Sequence, residues 1–139
     1  QLDYFAIFVA IGGHLTPLCL ILVKNWVGWT VLSTVWGLAL IGIIAKALWP
    51  QLPRGLTLFY YTLMGWLGLA IVHEAYPILT FRGVGMIVLA GFFFGLGSVI
   101  YYRERPNPVP GRFGFHEIWH LCVVAGTVTL FAVIYRYTR

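Results

Sequence analysis

Charge is what this sequence has least of. Of 139 residues, 9% are charged and 60% are hydrophobic. A soluble domain carries roughly 25% charge, so a chain with this balance cannot cover itself with water-facing surface, and a soluble globular domain is excluded. Acids are scarcest: only Asp3, Glu74, Glu104 and Glu117, with none beyond position 117. Cysteine is nearly absent. Cys19 and Cys122 lie inside apolar runs without a CxxC neighbour, which excludes a disulfide framework and thiolate zinc chemistry. They read as small buried hydrophobes. A basic n-region and a small-residue cleavage site are both missing after Gln1-Leu2-Asp3, so the opening is not a signal peptide. The net charge of +5 is not gathered into a patch interleaved with aromatics. Nucleic acid is therefore not an expected partner, and the Lys and Arg beside apolar runs read as snorkelling and topology determinants.

What the chain has is hydrophobic length. About 20 apolar residues cross a bilayer as a helix, and five stretches approach that: about 5–23, 26–49, 56–72, 84–102 and 115–135. The expected fold class is all-α, a polytopic transmembrane helix bundle forming a single domain. Breaks are expected at Lys24-Asn25, at Pro50 to Pro53, at Glu74 to Gly83 and at Arg103 to Gly114, where Pro and Gly punctuate. The chain begins on Gln1 rather than Met, and an N-terminal part ahead of it is expected. Five crossings place the termini on opposite faces. Lys46, Arg54, Arg103, Arg105 and Arg112 fall on the N-terminal side, against Lys24, Arg82, Arg136 and Arg139 on the other, which favours the N-terminal side as cytoplasmic. Trp26, Trp29, Tyr135, Trp49, Tyr60, Tyr101 and Tyr102 read as interfacial belts. Gly91/Gly95, Ser33/Gly37 and Gly65/Gly68 are expected where helices touch, and Thr16-Pro17 is expected to kink the first helix.

Ionisable groups inside a membrane point to function. His116 and His120 stand four residues apart at the mouth of the last helix, a spacing that puts both on one face within reach of one zinc at about 2.0–2.1 Å from each nitrogen. By topology, Asp3 lies at the same face and similar depth. It reads as a partner of the pair or as a cap of its own helix, and the two roles are compatible. His116-Glu117-Ile118-Trp119-His120 also matches HExxH, in which the Glu is a general base. No His or acid follows His120 to complete such a protease. His14 is eleven residues from Asp3, about 16 Å along a helix, and reads as a satisfied or cavity-facing His. His73-Glu74 reads as an interfacial cap.

The run Arg105-Pro106-Asn107-Pro108-Val109-Pro110-Gly111-Arg112-Phe113-Gly114-Phe115-His116-Glu117-Ile118-Trp119-His120 resembles the signature ahead of the last helix in bacterial haemolysin III proteins, relatives of the adiponectin and progestin receptors. Leu2-Asp3-Tyr4, Ile11-Gly12-Gly13-His14-Leu15-Thr16-Pro17 and Tyr61-Thr62-Leu63-Met64-Gly65-Trp66 are similar to further motifs of that family. The resemblance implies seven helices, of which this chain looks like the third to the seventh. It implies zinc on the cytoplasmic side, held by His116, His120 and a third His from the helix preceding this chain, with Asp3 matching an acid that orients the zinc-bound water. The position of Glu117 can be Gln in the receptors, which weighs against Glu117 as a base. His14 and Leu130 depart from the family pattern, away from the inferred site.

The function expected from this resemblance is a zinc-dependent hydrolase of lipid amides in a multi-pass protein of the cell membrane, the bacterial inner membrane, with Asp3 catalytic and membrane lipids or an acyl-chain substrate as partners. The alternative is a non-catalytic regulator of membrane lipid homeostasis with a structural zinc. A pore-forming haemolysin and an intramembrane metalloprotease stand behind these.

Overall fold

The computed structural model describes residues 2–109 and 111–137, with side chains from Phe5 onward. It is all-α. Helix α1 covers Leu2–Pro17 and continues as a π-helical turn, Leu18–Leu22. Helices α2, α3, α4 and α5 cover Trp26–Leu48, Arg54–Trp66, Gly68–Arg103 and Phe115–Tyr137. Extended structure among the described residues amounts to one isolated bridge, Val109 with Phe113.

Among the described residues, four runs are long and apolar enough to cross a membrane: Phe5–Leu22, Trp26–Leu48, Arg54–Arg103 and Phe115–Tyr137. The third has 50 residues, about 75 Å of helix where one crossing of hydrocarbon needs about 30 Å, so it has the length of two crossings. This is a multi-pass membrane protein.

The helix ends differ from expectation within that run. One break falls at Leu67 between α3 and α4, where none was expected, and a second falls at Thr80 (φ 54°, ψ 176°), a kink between two helical stretches of α4 that lies inside the expected Glu74–Gly83 break. Gly65 and Gly68 flank the first break, and glycine costs a helix about 1 kcal/mol relative to Ala. Glu74 does not end a helix: its Oε2 accepts from Asn25 Nδ2 at 2.8 Å. Asn25 in turn caps α2, its Oδ1 accepting from Gly28 N at 3.2 Å. At Thr16-Pro17 the chain changes to the π turn. Pro17 supplies no amide hydrogen, while Thr16 Oγ1 donates to Gly12 O at 2.7 Å and accepts from Trp36 Nε1 at 3.0 Å.

The chain divides into two compact units, residues 1–80 and 81–139. In the first, Phe8, Leu15, Val35, Met64, Ile71 and Leu79 are buried. Phe8 packs its ring on Tyr61 at 4.7 Å between centroids and lies over Gly42, where a Cβ would strike it. Lys46 is not a snorkelling surface residue: it is buried, with Nζ donating to Leu52 O at 3.3 Å across the α2–α3 turn. Beside it lies an apolar cavity of about 180 Å³ lined in part by Phe8, Gly42, Thr57 and Tyr60.

In the second unit α4 and α5 pack through glycine, but not through the expected pair. Gly91 and Gly95 have no neighbour near the Cβ position. Ala90, Phe94, Gly97 and Tyr101 form the inward stripe, at i, i+4, i+7 and i+11 of one helix face. A Cβ on Gly97 would lie 3.0 Å from Cys122 Cβ, and one on Gly126 would lie 2.7 Å from the Phe94 ring. Gly37 and Gly65 likewise have open space at Cβ, whereas Gly68 lies against Leu15. Spacing alone does not say which face meets a neighbour, and here the neighbours lie on the next face round.

Candidate metal site

Helix α5 begins on a compact turn. Arg112 N donates to Val109 O at 3.1 Å, and Val109 and Phe113 exchange both backbone hydrogen bonds at 3.0 and 2.9 Å. Gly111 supplies the positive φ of 80° that closes the turn, a conformation glycine adopts without steric cost. Gly114 is the residue before the helix, its carbonyl accepting from Ile118 N at 3.2 Å. Two side chains cover the first free N–H groups. Glu117 Oε2 accepts from Gly114 N at 2.8 Å, and Asn107 Oδ1 accepts from Phe115 N at 3.0 Å. The Glu half is that of a capping box.

On the first turn His116 is half-buried, and one turn on His120 is exposed. Their Nε2 atoms lie 3.1 Å apart, with ring centroids at 4.6 Å and planes at 83°. Two nitrogens bound tetrahedrally at about 2.05 Å to one zinc stand about 3.3 Å apart. The pair therefore fits two corners of a zinc site with little movement, and without metal one ring can donate its N–H to the other.

Aromatic rings hold the pair. Trp119 is buried and packs on His120 at 4.5 Å, on His116 at 5.4 Å and on Tyr101 at 5.0 Å between centroids. Tyr101 stands 6.1 Å from His116. Tyr101 is thus turned inward rather than lying in the interfacial belt, unlike Tyr102, Trp26 and Trp49, which are exposed. Tyr60 is also drawn inward, its hydroxyl donating to Leu38 O at 2.8 Å.

The sequence places Asp3 at the start of α1 and the His pair at the start of α5. The structure brings His116 and His120 together; the Asp3 side chain lies outside the described residues. Among the described residues no three His, Cys, Asp or Glu side chains cluster as a full metal shell. His14 and Glu74 belong to the first unit, and Cys19 and Cys122 are buried free thiols. Sequence reasoning missed Asn107, Trp119 and Tyr101 as site residues. The Asn–Pro pair and the aromatic three residues after His116 were the available signals, but both read equally as a turn and as core.

A family model described as haemolysin-III related matches residues 1–131. The chain belongs to that family. It is 32% identical over 136 residues to Hemolysin-3 of Bacillus cereus, covering 98% of this chain and 59% of the relative. It is 33% identical over 136 residues to the Hemolysin-3 homolog of Bacillus subtilis (strain 168), covering 98% and 61%. The chain thus spans about three fifths of the length of these haemolysin III relatives. No solved structure matches it significantly.

Proposed function

We propose that this haemolysin III chain is the metal-bearing part of a zinc-dependent hydrolase of lipid amides. The observation that carries this reading is the 3.1 Å separation of the His116 and His120 Nε2 atoms on the first two turns of an apolar helix long enough to cross a membrane. His116 and His120 would hold the metal as neutral imidazoles, oriented by Trp119 and Tyr101. A third His from a helix that precedes these residues in the full-length protein would complete the set. When bound, zinc polarises a carbonyl and makes water acidic enough to attack near neutral pH. Asp3 would take the proton of that water. The apolar helices would hold the acyl chain of the substrate. The location we propose is a bacterial cell membrane, the inner one where there are two, with the site on the cytoplasmic face. The excess of basic residues on that side supports the orientation.

The test uses purified full-length protein. About one zinc per chain, lost in His116→Ala, together with turnover of an N-acyl sphingoid lipid that Asp3→Asn abolishes, is the expected result. A zinc-free wild type, or His116→Ala with unchanged zinc and turnover, overturns the proposal. Zinc without turnover, and a lower melting temperature on its removal, points instead to a structural metal in a regulator of membrane lipid composition.

A further inference from the structure

HExxH invites the reading of Glu117 as a base, but its carboxylate is already engaged in the local backbone. Glu117 Oε2 faces back to Gly114 N at 2.8 Å. The same helix start is gripped from the other side by Asn107, whose amide has two partners. Its Oδ1 accepts from Phe115 N at 3.0 Å, and its Nδ2 donates to Glu104 O at 3.0 Å. Glu104 is the residue directly after α4, with a left-handed φ of 54°. One amide therefore joins the end of α4 to the start of α5. The fit is close: a Cβ at Gly114 would lie 2.7 Å from Asn107 Oδ1. The intervening loop is shortened by the Val109–Phe113 bridge.

His116 is the second residue of α5. First turns carry free N–H groups and fray, so a ligand placed there is well aligned only if the turn is held. We propose that Asn107 and Glu117 form a clasp that holds the first turn of α5 and the end of α4, and so sets the separation of the His116 and His120 nitrogens. Both are positioning residues, and Glu117 serves as a hydrogen-bond acceptor rather than as a base. The proposal rests on the metal-binding reading of the His pair. It adds two residues that touch neither metal nor substrate.

The experiment compares full-length wild type with Asn107→Ala, Glu117→Ala and Glu117→Gln. Zinc affinity is read by competition with a chelator, and hydrogen exchange is followed over residues 113–120. Gln keeps an oxygen acceptor for Gly114 N–H, so Glu117→Gln should match wild type in zinc affinity, exchange and turnover. The two alanine variants should exchange faster in this turn and bind zinc about tenfold more weakly, the range for partners one step removed from a metal, with the global melting temperature lowered no further than loss of a helix cap lowers it. Glu117→Gln that keeps zinc but loses turnover would show a base and overturn the clasp role of Glu117. Asn107→Ala with wild-type exchange and zinc affinity overturns the clasp alone. A wild type without zinc overturns the metal reading, and the ligand-positioning role with it.

Discussion

Two helices of this protein begin under an asparagine amide, and they use it differently. At α2 the cap is local: Asn25 stands directly before the helix, accepts from Gly28 N at 3.2 Å, and is steadied by Glu74 at 2.8 Å. At α5 the cap comes from a distance: Asn107 reaches Phe115 N from eight residues upstream and ties it to Glu104 O. Asn25 satisfies a helix end. Asn107 satisfies a helix end and also fixes the position of that end against the preceding helix. The second arrangement is found where the His pair stands, on the helix start that the proposed metal site would need held in place.

The largest expected difference between the two starts is in metal. His116→Ala in the full-length protein should remove all bound zinc measured by elemental analysis, while Asn25→Ala should leave it unchanged. Equal loss in both would erase the distinction. Next in size is Gly28→Ala. A Cβ there collides with the Val23 carbonyl, which is backbone and cannot swing aside. A loss of about 3 kcal/mol is expected for such overpacking, read as a lowered unfolding midpoint in detergent micelles. Gly114→Ala meets a side chain instead, Asn107 Oδ1 at 2.7 Å. The amide can move, at the expense of its bond to Phe115 N, so the cost should be about 1–2 kcal/mol, accompanied by weaker zinc binding that Gly28→Ala does not show. Smallest is Asn25→Ala, about 1 kcal/mol for loss of an N-cap, with faster exchange confined to the first turn of α2.

How far each feature was legible in the sequence follows from how local its cause is. Apolar length gave the class of fold, because a 9% charged chain has only lipid to face. The His spacing gave the pair, because i and i+4 share a helix face. The expected break between Glu74 and Gly83 is present as a kink at Thr80, but the residues on either side of it are helical rather than a loop. Glu74 there is held by Asn25, 49 positions away, which no window of sequence contains. Gly91 and Gly95 matched a packing motif and have no neighbour at Cβ, while Gly97 and Gly126, in no obvious motif, meet Cys122 and Phe94. Tyr60 and Tyr101 shared the chemistry of interfacial tyrosines, and their inward placement came from partners on other elements.

The sequence by itself determined that this chain is a membrane helix bundle of the haemolysin III type and that His116 and His120 share a face. Hydrophobic length and helical periodicity are properties of single segments. Only the tertiary structure decided that Asn107 links two helices and that Tyr101 of α4 packs on Trp119 beside the pair. Those outcomes depend on where a loop returns the chain, and the return is set by contacts between residues that are distant in sequence.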